Sequence, residues 1–133
     1  MRTCGYCVAT VLLLVIGISA ARQLQQANPV YVIDPWALGM KYPPVKLAPN
    51  TVVKFNWKGL GRHGVYRIPT GECPLEFKHS PSRGIIELAP VTDGGEYATK
   101  PLAPGTYWHA CPVPGHCPSG MIIKIEVAPV AAL

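Results

Sequence analysis

Short runs of alternating apolar and polar residues, cut by turn signals, make up most of this chain. Thr51 to Trp57 alternates most clearly: Val53, Phe55 and Trp57 share one face, with Val52, Lys54 and Asn56 opposite. Met121 to Val127 repeats the pattern with Ile123, Ile125 and Val127. Val30–Ile33 reads as a first strand stopped by Asp34-Pro35, and Val45–Leu47 as a short edge strand before Ala48-Pro49-Asn50. His63 to Ile68 follows a glycine-rich turn, Gly84 to Leu88 is a further strand, and Thr106 to Ala110 follows Ala103-Pro104-Gly105. No heptad, repeat or long helical period is present. Fifteen prolines and thirteen glycines keep the segments short. The pattern predicts an all-β fold, a β-sandwich or small barrel. The stretch from Cys73 to Leu102 is the least periodic, and a short helix or loop excursion is expected there.

The first residues change the compartment. Arg2, an apolar run from Val8 to Ile18 and then Ser19-Ala20-Ala21 have the order of a secretory signal peptide. The run is short for a bilayer span, which needs about 20 apolar residues. The expectation is a cleaved leader at 1–21 and a single domain at 22–133, extracellular, with no membrane span in the mature protein. Cleavage would remove Cys4 and Cys7 and leave Cys73, Cys111 and Cys117. Secreted proteins usually pair their thiols. An odd count is met most simply by one disulfide and one thiolate held by a metal.

Without Arg2 the chain carries eleven Lys and Arg against seven Asp and Glu, a net charge of +4. Lys54, Lys58, Arg62 and Arg67 lie around His63, so an acidic redox partner or acidic polysaccharide would suit this face. An ordinary solvated basic surface explains the same charges. No dense basic run exists to bind nucleic acid.

One loop concentrates the chemistry. Cys111-Pro-Val-Pro-Gly-His116-Cys117-Pro-Ser-Gly-Met121 places Cys, His and Met five residues apart between two predicted strands. A thiolate, two imidazoles and a weak thioether form the ligand set of a type 1 copper centre, since they suit both oxidation states of the ion. Zinc has little use for a methionine. Singly, Met121 reads as core, Cys111 as a buried thiol and His116 as a surface imidazole; their regular spacing favours the joint reading. Pro112, Pro114 and Pro118 stiffen the loop, and Gly115 and Gly120 allow its turns. His63, at the start of a neighbouring strand, is the best fourth ligand. His109 is the reserve, and His79 lies in a loop context away from the ligand strands. A Cys73–Cys117 bridge would tie the ligand loop to the segment after the His63 strand. Pairing of Cys111 with Cys73 or Cys117 would instead destroy the site.

Together, Cys111…Pro-Gly-His116-Cys117…Met121, Val-Lys-Phe-Asn-Trp57, His63-Gly-Val65 and Cys73 resemble the phytocyanins, within the cupredoxins. The Met and the basic charge are most similar to the plantacyanin, or basic blue protein, branch. The resemblance implies an eight-stranded Greek-key β-sandwich and one copper ion on His63, Cys111, His116 and Met121. It also implies a Cys73–Cys117 disulfide and an exposed His116 edge as the electron port. Three features depart from it: Gly64 stands where the family commonly has Asn, His109 stands where an apolar residue is expected, and the stretch from Cys73 to Cys111 is long. Gly64, His109, Pro114 and Gly115 are therefore the residues expected to surround the ligands.

The implied function is extracellular electron carriage by Cu(II)/Cu(I) cycling, with a redox protein or small phenolic donor as partner. For a plant-like chain the location would be the apoplast or cell wall. A monomer is expected. The alternative is a copper-binding wall or matrix protein with no obligatory electron transfer. A copper oxidase would need His-x-His pairs, and the four histidines form none. No nucleophilic triad or paired-carboxylate arrangement stands out, so the chain reads as a carrier and not an enzyme.

Overall fold

The computed structural model describes residues 27–130. The expected leader at 1–21 lies outside the described residues. Within them the chain forms strands β1 (Val30–Ile33), β2 (Val45–Leu47), β3 (Val52–Asn56), β4 (Arg62–Ile68), β5 (Ile86–Asp93), β6 (Glu96–Ala98), β7 (Gly105–Ala110) and β8 (Ile122–Val127). They pair into one sheet of order β1-β3-β6 and a second of order β2-β8-β7-β4-β5. The β1–β3 and β2–β8 pairs are parallel and the others antiparallel, so both sheets are mixed. Among the described residues no helix is long and apolar enough to cross a membrane.

The period-two pattern decides which side chains meet between the sheets. Val53, Phe55 and Trp57 from the smaller sheet are buried against Ile123, Ile125 and Val127 from the larger one. Trp36, fully buried just after β1, packs edge-on against Phe55 at a centroid distance of 5.1 Å.

The larger sheet is covered on its outer face too. Ile68, Ala110 and Cys117 form a second cluster there with Phe77, Trp108 and Ile122. Its cover comes from the excursion between β4 and β5, which includes a single 3-10 turn at Pro81–Arg83. Along β7, Trp108 and Ala110 therefore face outward, while Tyr107 and His109 face the main core. A strand covered on both sides loses simple alternation, and β4 is accordingly buried from His63 to Tyr66.

The region between Cys73 and Leu102 begins with the expected excursion and its short 3-10 turn. It then holds more strand than the pattern predicted: β5 runs eight residues to Asp93, and β6 follows. Gly84 is not the first residue of β5. It closes the 3-10 turn in a left-handed conformation, φ 71°. Pro90 sits inside β5, where periodicity would end a strand. It is tolerated because β5 is an edge of the larger sheet and its outer side needs no ladder donor.

Candidate metal centre

At one rim of the sandwich, three donor atoms converge. His63 Nδ1 and His116 Nδ1 are 3.2 Å apart, and the Cys111 sulfur is 3.7 Å from the first and 3.5 Å from the second. An ion about 2.0 Å from each nitrogen and about 2.3 Å from the sulfur, in a trigonal plane, needs separations of about 3.5 and 3.7 Å. The triad matches that triangle to within a few tenths of an ångström. His63, Cys111 and His116 are the one His/Cys/Asp/Glu group of this kind among the described residues.

Each donor is aimed by its own piece of chain. His63, second residue of β4, is buried, and its Nε2 lies 3.1 Å from the Leu60 carbonyl. That oxygen can only accept, so the outer nitrogen carries the proton and Nδ1 keeps its lone pair for a metal. Burial lowers the pKa of His63, the Leu60 carbonyl acting against it and His116 with it. Burial also lowers that of His116. Both imidazoles are thereby biased towards the neutral form that coordinates.

Cys111 lies just past the end of β7 and is the one free cysteine among the described residues. Burial pushes its thiol pKa up, while backbone N–H groups of Gly64 and Val113 donate to the sulfur and pull it down. The Gly64 carbonyl meanwhile accepts a 3.0 Å bond from the buried Trp36 indole. Gly64 thus links the tryptophan of one sheet's edge to the sulfur, through main chain alone. A Cβ there would sit 2.9 Å from the Ala89 oxygen of β5, which explains why this position holds glycine and not a polar side chain.

The loop from 111 to 121 closes on itself through backbone bonds. The amide of His116 donates to the Val113 carbonyl, that of Ser119 to Gly115, and that of Gly120 to Cys117. Cys111 and Met121 meet at its base: the Cys111 amide donates to the Met121 carbonyl at 3.0 Å, and the Met121 amide to His116 at 3.0 Å. Met121 is buried in the main core. Gly115, at φ +82°, takes the left-handed turn that lets this short loop reverse, and Pro114 precedes it in the exposed part of the loop. Cys73 and Cys117 are joined by a disulfide, which pins the residue after His116 to the outer-face cluster.

The competing histidines lie elsewhere. His79 accepts a bond from the Glu87 amide, 3.1 Å, beside the 3-10 turn. His109 is buried deeper in the sandwich, 5.4 Å from the Phe55 ring, and is outside the donor triad. The basic residues near His63 in sequence do not share one setting. Lys54 and Lys58 both pair with Glu96, Arg62 lies at the mouth beside His63 and His116, and Arg67 lies in a cleft on the flank.

Two supporting residues escape the sequence reading. Leu60 acts through its carbonyl, which no side-chain pattern reports. Trp36 follows Asp34-Pro35 in what reads as a plain turn; a lone tryptophan in so short a segment between strands was the available signal.

The donor chemistry, two neutral imidazoles and a buried sulfur with a methionine at the loop's end, fits copper better than zinc. A match to the Sulfocyanin (SoxE) domain family covers residues 84–132, the segment holding Cys111, His116 and Met121. No curated relative matches the chain. Among solved structures the chain is similar to reduced auracyanin from the photosynthetic bacterium Roseiflexus castenholzii. That pair is 22% identical over 75% of this chain and 95% of the other, with a TM-score of 0.48. Cucumber basic protein, a blue copper protein, is 24% identical over 74% and 98%, TM-score 0.47. Spinach plantacyanin is 26% identical over 74% and 98%, TM-score 0.45.

Proposed function

We propose that the chain is a secreted type 1 copper protein of the cupredoxin kind that carries single electrons. The observation that carries this reading is the convergence of His63 Nδ1, His116 Nδ1 and the Cys111 sulfur in a triangle of coordination size. Met121, hydrogen-bonded through its backbone to both Cys111 and His116, would supply the fourth, weak thioether donor. A bound copper supplies a one-electron Cu(II)/Cu(I) couple.

The chain's own part is to hold still. The self-bonded 111–121 loop, the disulfide beside His116 and the Leu60 carbonyl on His63 fix three side chains, so little rearranges when charge changes. His116 is only half-buried, and Leu38, Leu60 and Val113 border it with Arg62. Leu38 is 49% and Leu60 41% exposed, giving a redox partner an apolar surface around the His116 edge. Arg62 at that mouth favours an acidic partner or a small phenolic donor. The residues quoted for the resemblance, with the basic charge, support a reading as a protein of the plantacyanin type. The leader expected at 1–21 from the sequence supports an extracellular location.

The test is addition of Cu(II) to the purified protein with its disulfide intact. An intense blue colour from thiolate-to-copper charge transfer is expected, lost in Cys111→Ser. A colourless wild type with stoichiometric copper would end the reading. Fast, saturable reduction by a donor in stopped flow separates a carrier from a protein that only stores copper.

A further inference from the structure

A cleft lies on the flank, away from the rim that carries the donor triad. The smaller sheet ends at β6. Past its edge, the inner face of the larger sheet opens into a cleft of about 360 Å³, bordered by Arg67, Tyr97, Lys100, Leu102, Tyr107 and His109. This volume is within the range of small-molecule sites.

Three observations show that the cleft is chemically unusual. First, Arg67 and His109 are direct cross-strand partners of β4 and β7 and so share the inner face of the sandwich. Beyond the edge of the smaller sheet no described residue covers Arg67, and its side chain is exposed to the cleft. Among the described residues neither Arg67 nor Lys100 forms an ion pair. Second, His109 is 1% exposed, lines the cleft, and its Nδ1 is a buried polar atom with no hydrogen-bond partner. Such an atom costs free energy unless something completes it. Third, the rings of Tyr107 and His109 are nearly parallel, 18° apart at a centroid distance of 6.4 Å. They make a flat wall on one side, and Leu102 and half-buried Tyr97 add apolar surface.

We propose that this cleft binds a small aromatic carboxylate, its carboxylate on Arg67 and Lys100, its ring along the Tyr107–His109 wall, and a polar atom of the ligand meeting His109 Nδ1. The two cations bordering the cleft select an anion, and the parallel rings select a flat body over an aliphatic one. A neutral aromatic would leave both cations unanswered; a small aliphatic acid would leave the wall uncovered.

Benzoate is the probe, titrated into the purified chain and followed by calorimetry and by the ¹⁵N resonances of the His109 ring. Saturable binding is expected, with a shift of the His109 nitrogen signals. Arg67→Gln, a change at an exposed side chain, should weaken binding at least about tenfold, the loss typical of one charge-assisted hydrogen bond. Lys100→Gln provides a second, equally exposed variant and should weaken binding in the same direction. Benzyl alcohol and acetate should each bind at least about tenfold more weakly than benzoate. Absence of saturation into the millimolar range would overturn the proposal. So would equal affinity for benzoate and benzyl alcohol, equal affinity for benzoate and acetate, or wild-type binding in both variants. Because none of these measurements reads copper, their failure leaves the rim site untouched, and a colourless rim leaves this cleft untouched.

Discussion

Gly64→Ala isolates the packing that aims the metal ligands. The position is extended backbone, so alanine is conformationally acceptable and would restrict the unfolded chain, a gain of about 0.4–1 kcal/mol. Against that, the added Cβ meets the Ala89 carbonyl oxygen at 2.9 Å and the Pro90 carbonyl carbon and oxygen at 3.2 Å. All three are backbone atoms of β5, which cannot rotate away as a side-chain tip can. Overpacking costs about 1–3 kcal/mol, and a contact under 3.0 Å with backbone belongs to the upper part of that range, about 2–3 kcal/mol, so the net expectation is a loss of about 1–2.6 kcal/mol. The strain falls where β4 and β5 already shift register, between His63 and Val65. It also displaces the Gly64 N–H from the Cys111 sulfur and its carbonyl from Trp36. Urea denaturation of the metal-free protein reads the first effect. A weakened or broadened charge-transfer band after copper addition reads the second. Gly71→Ala is the control, because the atoms nearest its Cβ would be those of the half-buried Trp108 ring, the first at 2.7 Å, and a side-chain ring can shift where backbone cannot. An alanine at 64 as stable as wild type, or a greater loss at 71 than at 64, would refute the claim that immovable backbone sets this position.

Other outcomes follow from the same structure. Met121→Gln should keep the blue colour and lower the reduction potential in voltammetry, since a harder oxygen donor favours the oxidised ion; an unchanged potential would remove Met121 from the axial position. Cys73→Ser with Cys117→Ser opens a loop whose ends are 44 residues apart. The chain-entropy argument gives a loss of about 4 kcal/mol, or on the order of 15–20 °C in Tm. Calorimetry showing a shift of only a few degrees would mean the bridge acts on the ligand loop and hardly on the unfolded chain. Burial, then the hydrogen bond to Glu87, pushes the Tyr66 hydroxyl to a pKa of about 12. Its folded pKa exceeds its unfolded one. The associated stability is therefore complete below pH 10 and is lost as pH rises towards 12. Ultraviolet titration should show a late phenol that disappears in Tyr66→Phe; a late phenol surviving that change belongs to another tyrosine.

Much of this was readable in the chain itself. Val53, Phe55 and Trp57, and Ile123, Ile125 and Val127, announce the two inner faces by period alone. The spacing of Cys111, His116 and Met121 announces the loop's chemistry, because a short loop between adjacent strands forces its residues to one rim. Where a strand is covered on both faces, as in β4 and β7, alternation fades and the pattern loses its meaning. Where a strand lies at an edge, as β5 does, it can hold Pro90 without breaking.

The order of residues settles local matters: which segments extend, which loop bears soft donors, and which thiols are available to pair. The tertiary structure alone decided that His63, 48 residues before Cys111, turns its Nδ1 to the same point as His116. It alone decided that Gly64 must lack a side chain, and that Arg67 and His109 face one cleft. The physical reason is distance along the chain. Propensity and period act over a few residues, whereas these contacts are made by strands from different parts of the sequence, whose register is set only when both sheets are packed.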